Sequence, residues 1–179
     1  MAVFTVIENT TIASGGASSW TKSSIASSYD HLLVKASIRC ERVHYDEQFF
    51  VRLNNNSSAA SYSGTWFGGA DSTPDSGYFT KNDYAGLGFP QAPAASAAAG
   101  TFGVMTIWIP DYANTTNFAS VWIEATAENN STTNDRWQGH LISGVFHSTA
   151  AVNQITIISR NGFDIAEHST ITLYGVSQS

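Results

Sequence analysis

Apolar and polar residues alternate with a period of two along most of this 179-residue chain. In the clearest example, residues 31–41, every second side chain is apolar: Leu32, Val34, Ala36, Ile38 and Cys40. Such alternation is typical of a β-strand with one face buried and the other in solvent. Applied to the whole chain, it predicts strands at residues 3–8, 31–41, 48–54, 102–109, 119–127, 136–147, 154–159 and 170–177.

Turn-forming residues separate these strands, and no segment carries a convincing helical pattern. Asn161-Gly162 lies between two apolar runs, which is typical of a β-hairpin. Residues 92–99 are rich in alanine, but Pro90, Pro93 and Gly100 bracket them, and eight residues are marginal for a stable helix. Residues 22–32 have room for one helical turn.

At least eight antiparallel strands with two-faced patterning must close into a barrel or pack as two sheets. We therefore predict an all-β protein, a single antiparallel β-sandwich domain over residues 1–179. Eight strands with unequal loops favour a jelly roll. An immunoglobulin-like sandwich is the alternative, although its cysteine pair is impossible here because Cys40 is the only cysteine. The apolar strand position of Cys40 predicts a buried, unreactive thiol.

Residues 55–100 form a long Ser-, Gly- and Ala-rich segment with seven aromatic residues, which argues against simple disorder. In one interpretation, part of the segment forms another strand pair, with residues 62–67 and 78–80 as its arms. In the other, it is an ordered insertion loop whose aromatic side chains contact a neighbouring subunit or a ligand. The candidate contact residues are Tyr62, Trp66, Phe67, Tyr78, Phe79 and Tyr84, together with Trp122, which falls on the polar side of its own strand.

Charge is scarce, since only 12% of the residues are charged, about half the usual share, and the net charge is −6. Eight Lys and Arg residues in all argue against nucleic-acid binding and against a basic membrane-surface protein. The sequence also shows no apolar run long enough for a membrane-spanning helix and no signal peptide, which predicts synthesis in the host cytoplasm.

The sequence lacks the familiar enzyme motifs: no Walker-type phosphate loop, dinucleotide-binding glycine pattern or Gly-x-Ser-x-Gly elbow occurs. His140 and His147 lie seven residues apart on one predicted strand, so they point to opposite faces and cannot share a metal ion. The cluster of His44, Asp46 and Glu47 is predicted to be a solvated turn. We therefore predict no catalytic residue, no cofactor and no metal site, and keep a hydrolase only as a third hypothesis.

Four short segments carry a recognisable pattern: Tyr29-Asp30-His31-Leu32, Phe50-Val51-Arg52-Leu53-Asn54, Ile109-Pro110-Asp111-Tyr112 and Ser169-Thr170-Ile171-Thr172-Leu173-Tyr174-Gly175-Val176. In their order and spacing they resemble a family of small virion proteins of tailed bacteriophages. The resemblance implies all-β subunits without catalytic residues, attached to capsids as cement or decoration proteins or to tails as fibre or receptor-binding parts. It also implies homo-oligomers, with a trimer expected at local three-fold positions of a capsid.

Two functions are therefore expected. The first is a capsid cement or decoration subunit on the virion surface, whose partners are the major capsid protein and copies of itself. The alternative is a receptor- or carbohydrate-binding module of a tail fibre, because exposed Trp and Tyr rings stack on the apolar face of a sugar. The first predicted strand begins near Val3, which leaves no space for a separate anchoring domain before it and favours the cement function.

Overall fold

The computed structural model describes residues 1–70, 73–128 and 137–178. Within these residues the chain forms twelve strands and a single 3-10 turn at Ala59–Ser61. The strands are β1 (Val3–Thr11), β2 (Ser19–Lys22), β3 (His31–Ile38), β4 (Asp46–Leu53), β5 (Tyr62–Ala70), β6 (Thr73–Phe79), β7 (Leu87–Pro93), β8 (Gly103–Pro110), β9 (Ala119–Thr126), β10 (Trp137–Phe146), β11 (Ile155–Ser159) and β12 (Thr170–Ser177). The described residues contain no helix long and apolar enough to cross a membrane.

Two antiparallel sheets pack face to face. The large sheet has eight strands in the order β1-β12-β3-β8-β9-β10-β5-β6, and the small sheet has four in the order β2-β11-β4-β7. The predicted all-β sandwich is confirmed. The jelly-roll arrangement is not confirmed, because a jelly roll is built from eight strands in two sheets, whereas here the described strands divide into eight and four.

Alternation along the strands builds the core between the sheets. On β3, Leu32, Val34 and Ile38 are fully buried, whereas Lys35 and Ser37 are exposed. All eight predicted strands are present, with ends displaced by at most a few residues, apart from residue 136, which lies outside the described residues. Alternation located strands of the large sheet such as β3, β8 and β9 because only one of their faces is covered.

Cys40 lies inside the core, directly after β3. Burial raises the pKa of its thiol to about 11, which disfavours the reactive thiolate. The predicted burial of the thiol is confirmed.

Residues 55–100 are part of the sandwich. β5 pairs with β6 on one side and with β10 on the other, which confirms the strand-pair interpretation. β7 pairs with β4 at the edge of the small sheet. The segment is therefore not one long insertion loop, and its first alanine-rich residues, Ala92 and Pro93, end a strand instead of starting a helix.

The predicted hairpin at Asn161-Gly162 is wrong, although a turn is present with Gly162 at a φ of 79°. β11 before this turn belongs to the small sheet, whereas β12 after it belongs to the large sheet. Between them, Ile165 bridges to Ala17 and Cys40. The turn therefore carries the chain from one sheet to the other, and the two flanking runs do not pair.

Three of the four segments that carry the resemblance meet at one end of the sandwich. The Tyr29 ring packs directly on Gly175, where an added Cβ would lie 2.3 Å from a ring carbon. The Tyr112 hydroxyl donates to the Ala26 carbonyl and accepts a bond from the Tyr29 amide at 3.4 Å. The Asp111 amide donates to His31 Nδ1 at 3.1 Å. Residues of the recognisable pattern therefore make packing and hydrogen-bond contacts that hold this end of the sandwich together.

Candidate functional site: an aromatic cleft and an outer sheet face

A cleft of about 300 Å³ opens between the two sheets, and residues of the edge strands β6 and β7 help to line it. The large sheet contributes residues from β5, β6 and β10, the small sheet contributes residues from β4, β7 and the turn after β11, and the segment between β6 and β7 contributes Tyr84. The lining residues are Gln48, Trp66, Asp75, Gly77, Tyr78, Tyr84, Phe89, Gln91, His140 and Arg160. This volume is at the lower end of the range for small-molecule sites, roughly 300–1,000 Å³.

Aromatic rings from both sheets and from the segment between β6 and β7 line the cleft. Tyr84 and Phe89 meet edge to face, with ring centroids 4.4 Å apart, and Trp66 lies 6.4 Å from Phe89. A Cβ at Gly77 would lie 2.9 Å from the Trp66 indole, so the glycine is needed for the indole to lie across the neighbouring strand. The guanidinium of Arg160 lies over the faces of Tyr84 and Phe89, at 5.3 and 5.1 Å from their centroids.

Polar side chains of the small sheet also line the cleft. Gln48 and Gln91 are cross-strand partners on β4 and β7. The side chain of Gln48 accepts a hydrogen bond from Arg160 Nη1, and the Gln48 carbonyl accepts one from the Arg160 amide at 2.8 Å. Gln91 is only 3% exposed, and its Oε1 has no hydrogen-bond partner among the described residues. A buried acceptor without a donor is unusual and calls for an explanation.

The backbone is strained beside this acceptor. Phe89, two residues before Gln91 on β7, has a φ of 143°, a conformation that costs a non-glycine residue on the order of 1–3 kcal/mol. The β4–β7 register shifts at the same place, between Gln48 and Phe50. Strain and an unsatisfied acceptor therefore coincide in the lining of one cleft.

His140 closes the inner end of the cleft from β10. Its Nδ1 lies 3.1 Å from the Phe89 carbonyl, so Nδ1 carries the proton, and its ring lies 5.2 Å from that of Trp66. Burial lowers the pKa of His140 from its ordinary value of 6.5, although the Phe89 carbonyl and the charges of Asp75 and Asp46 oppose the shift. At pH 7 the imidazole is therefore neutral.

The lowered pKa predicts a pH dependence of stability. Between 6.5 and the lower pKa of the folded state, the unfolded chain binds more protons than the native protein. The free energy of unfolding should therefore decrease as the pH falls through this window, and His140→Gln should make the decrease smaller. Urea unfolding at several pH values tests this, with His168→Gln at an exposed histidine as the control. An unchanged pH dependence in H140Q would contradict the prediction.

The outer face of the large sheet carries a second candidate surface, which we call the outer row. Eight outward side chains lie in register across all eight strands: Val6, Tyr174, Leu33, Trp108, Trp122, Ser143, Thr65 and Tyr78. Trp122 is 43% exposed and Tyr78 is 75% exposed. Because cross-strand neighbours contact each other, the row forms a continuous and largely apolar stripe.

A shallow depression of about 190 Å³ lies beside the outer row, lined by Thr65, Trp66, Phe67, Trp122, Leu141 and Ser143. Phe67 is 58% exposed at its rim. Among the described outward positions of β3, β8, β9, β10 and β5, only Lys35 and Glu124 carry a formal charge. Exposed apolar surface of this kind, with few charges, is typical of an interaction site.

The structure divides the seven predicted contact residues between three environments. Trp66, Tyr78 and Tyr84 line the cleft, and Phe67 and Trp122 lie on the outer face. The prediction that Tyr62 and Phe79 are contact residues is wrong, because both side chains lie in the core and are only 0% and 1% exposed. The Tyr62 hydroxyl is also occupied, since it accepts from the Leu53 amide at 3.1 Å and donates to the Asn56 carbonyl.

The cluster of His44, Asp46 and Glu47 is predicted to be a solvated turn, but the structure shows otherwise. Asp46 and Glu47 are buried at the start of β4, and Glu47 is fully enclosed. Glu47 accepts hydrogen bonds from Ser159 Oγ at 2.6 Å, from the Asn161 amide at 3.0 Å and from Arg42 Nη1 at 2.9 Å. Among the described residues, no three His, Cys, Asp or Glu side chains are arranged to hold a metal ion.

Comparison with known proteins adds no functional assignment, because no protein-family model and no curated protein matches this chain. A protein of unknown function from Saccharomyces cerevisiae aligns over 93% of this chain and 88% of its own, with 6% identity and a TM-score of 0.26. A mutant alginate lyase in complex with an alginate tetrasaccharide aligns over 100% of this chain and 74% of its own, with 9% identity and a TM-score of 0.27. Both TM-scores are too low to support an argument, so the function is inferred from the chain's own chemistry.

Proposed function

We propose that this protein is a non-enzymatic virion structural protein of a tailed bacteriophage, a cement or decoration subunit that binds the lattice of the major capsid protein. The observation that carries the proposal is the outer row, because it provides a broad face with few charges on which a flat neighbour can pack. Docking there would immobilise and desolvate few long charged side chains. The four-segment resemblance supports the same function and adds a homo-oligomer, a trimer, as the assembled form.

Phe67 and Trp122 supply the largest exposed side chains around the depression, so they are the expected anchors of the contact. Removing both in a Phe67→Ser/Trp122→Ser variant should weaken rebinding to capsids stripped of this protein by at least about tenfold. Quantitative mass spectrometry of the rebound particles measures the occupancy. The fold should be retained, because neither side chain belongs to the core.

The matched control is Phe163→Ser, which removes an exposed phenylalanine from the turn after β11, away from the outer row. This variant should rebind like the unmodified protein. Equal rebinding of the Phe67→Ser/Trp122→Ser variant would refute the proposed contact. The number of copies per purified virion is an independent test, since a cement subunit should be present in numbers comparable to the capsid lattice.

The aromatic cleft favours a second candidate function, a receptor- or carbohydrate-binding module of a phage tail or fibre. The supporting observation is that aromatic walls and converging polar side chains line one small cleft. Only a few copies per virion would favour this function over the cement function. Binding to a glycan array would favour it further, and an array without any bound glycan would argue against it.

A further inference from the structure

We propose that the cleft binds a neutral pyranose sugar, one or two units long, with the sugar ring on Trp66 and a sugar hydroxyl donating to Gln91 Oε1. This inference rests on the carbohydrate-binding candidate and adds the ligand class and the residue roles. Its test can be separated from that of capsid binding, because the anchors Phe67 and Trp122 lie outside the cleft, although Trp66 lines both the cleft and the depression.

The unsatisfied acceptor of Gln91 supplies the first argument. Leaving a buried acceptor unpaired costs about 1–3 kcal/mol, so a side chain selected for stability alone would be apolar here. Its cross-strand partner Gln48 directs its own side-chain oxygen to Arg160. Gln91 therefore presents an acceptor to the cleft, and a ligand hydroxyl or amide N–H is the kind of donor that would satisfy it.

The arrangement of the rings supplies the second argument. The guanidinium of Arg160 already covers Tyr84 and Phe89, and Tyr78 is mostly exposed, so Trp66 is the half-buried aromatic ring of the lining that Arg160 leaves uncovered. An indole offers a flat apolar surface that matches the C–H face of a pyranose. The amide of Gln91 and the side chains of Gln48 and Asp75 line the same cleft and offer hydrogen bonds to hydroxyl groups.

The balance of charge in the lining supplies the third argument. Asp75 and Arg160 are the two groups of opposite formal charge, and they offset each other. Arg160 is engaged with Gln48 and with two rings, whereas an acidic sugar would also meet the carboxylate of Asp75. The neutral imidazole of His140 adds no charge. A neutral sugar therefore fits better than a uronic acid or a cationic ligand.

Isothermal titration calorimetry of the full chain, which measures sugar binding, tests the inference. The probes are methyl β-D-glucopyranoside, methyl β-D-galactopyranoside and N-acetylglucosamine, with glucuronate and adenosine as competing ligand classes. We expect saturable binding of at least one neutral sugar, with a dissociation constant on the order of 1 mM. Glucuronate should bind about tenfold more weakly, and Asp75→Asn should reduce that difference.

Gln91→Leu is the decisive variant, because it removes the acceptor and keeps an apolar side chain of similar length. It should weaken sugar binding by about tenfold or more while the Tm stays the same or rises, since the substitution relieves an unpaired polar group. A lower Tm would show that Gln91 serves the fold and would overturn its assigned role. Phe4→Ser, at an exposed position of β1 on the opposite edge of the large sheet, should bind the sugar like the unmodified protein.

Three results would overturn the inference: no saturable binding of any neutral sugar at about 100 mM, tighter binding of adenosine or glucuronate, or normal sugar binding by Gln91→Leu. These results can be distinguished from a failure of the proposed carbohydrate-binding function itself. If a longer glycan on the array is bound and depends on Trp122 instead of Gln91, the protein binds carbohydrate but the cleft is not its site.

Discussion

Replacing Glu47 by alanine is expected to lower the free energy of unfolding by about 3 kcal/mol, one of the two largest effects we predict. The carboxylate is fully enclosed and joins three parts of the fold: the start of β4, the end of β11 and the turn that follows it. Its removal leaves the Ser159 hydroxyl and the Asn161 amide without their acceptor and opens a cavity. Arg42 contributes less, because its side chain is about a third exposed and regains water.

Urea unfolding of the variants measures this effect. Glu47→Gln keeps the volume and one acceptor oxygen, so it should lose less stability than Glu47→Ala. Glu41→Ala, at an exposed glutamate six residues earlier, should change the stability by no more than about 0.5 kcal/mol. Equal losses in Glu47→Ala and Glu41→Ala would show that the buried network adds no stability.

Adding a single methyl group at Gly175 is expected to destabilise the protein by about 2 kcal/mol. A Cβ there would lie 2.3–2.5 Å from three carbons of the Tyr29 ring, which would have to leave its place. The ring lies at the junction where three of the segments that carry the phage resemblance meet. The loss should therefore occur even though alanine is otherwise the better residue in a strand.

A double-mutant cycle separates this clash from other effects of Gly175→Ala. In a Tyr29→Ala background the ring is absent, so the added methyl should be neutral or stabilising by about 0.5–1 kcal/mol. Gly69→Ala on β5 is the control, because its Cβ would come no closer than 3.4 Å to any neighbour. If the losses of unfolding free energy in Tyr29→Ala and Gly175→Ala simply add in the double variant, the proposed contact between the ring and Gly175 would be refuted.

The sequence pattern predicted the strands of the large sheet well, because most of them have one buried face and one face in solvent. It missed β7 for the opposite reason: every residue of Leu87–Pro93 is buried, so no alternation is visible, and two prolines and a glycine mask the strand further. It also missed β2, whose four residues are too few to show a period, although Trp20 is buried there.

The candidate sites were harder to predict, because they are assembled from distant parts of the chain. Gln48, Gln91 and Arg160 come together only through the strand order of the small sheet and the turn that leaves it. Glu47 looked solvated because it lies in a polar cluster, and its donors Ser159 and Asn161 are more than 100 residues away. Trp122 was predictable, since an aromatic residue on the polar side of an alternating strand already indicates a surface role.

The scarcity of charge on the outer sheet face has a thermodynamic consequence. With only Lys35 and Glu124 charged among the described outward positions of the central strands, Coulomb attraction contributes little to docking there. A subunit attached through this face would remain bound when concentrated salt shortens the Debye length. Burial of the stripe would instead give binding a negative heat-capacity change, so the attachment would weaken in the cold.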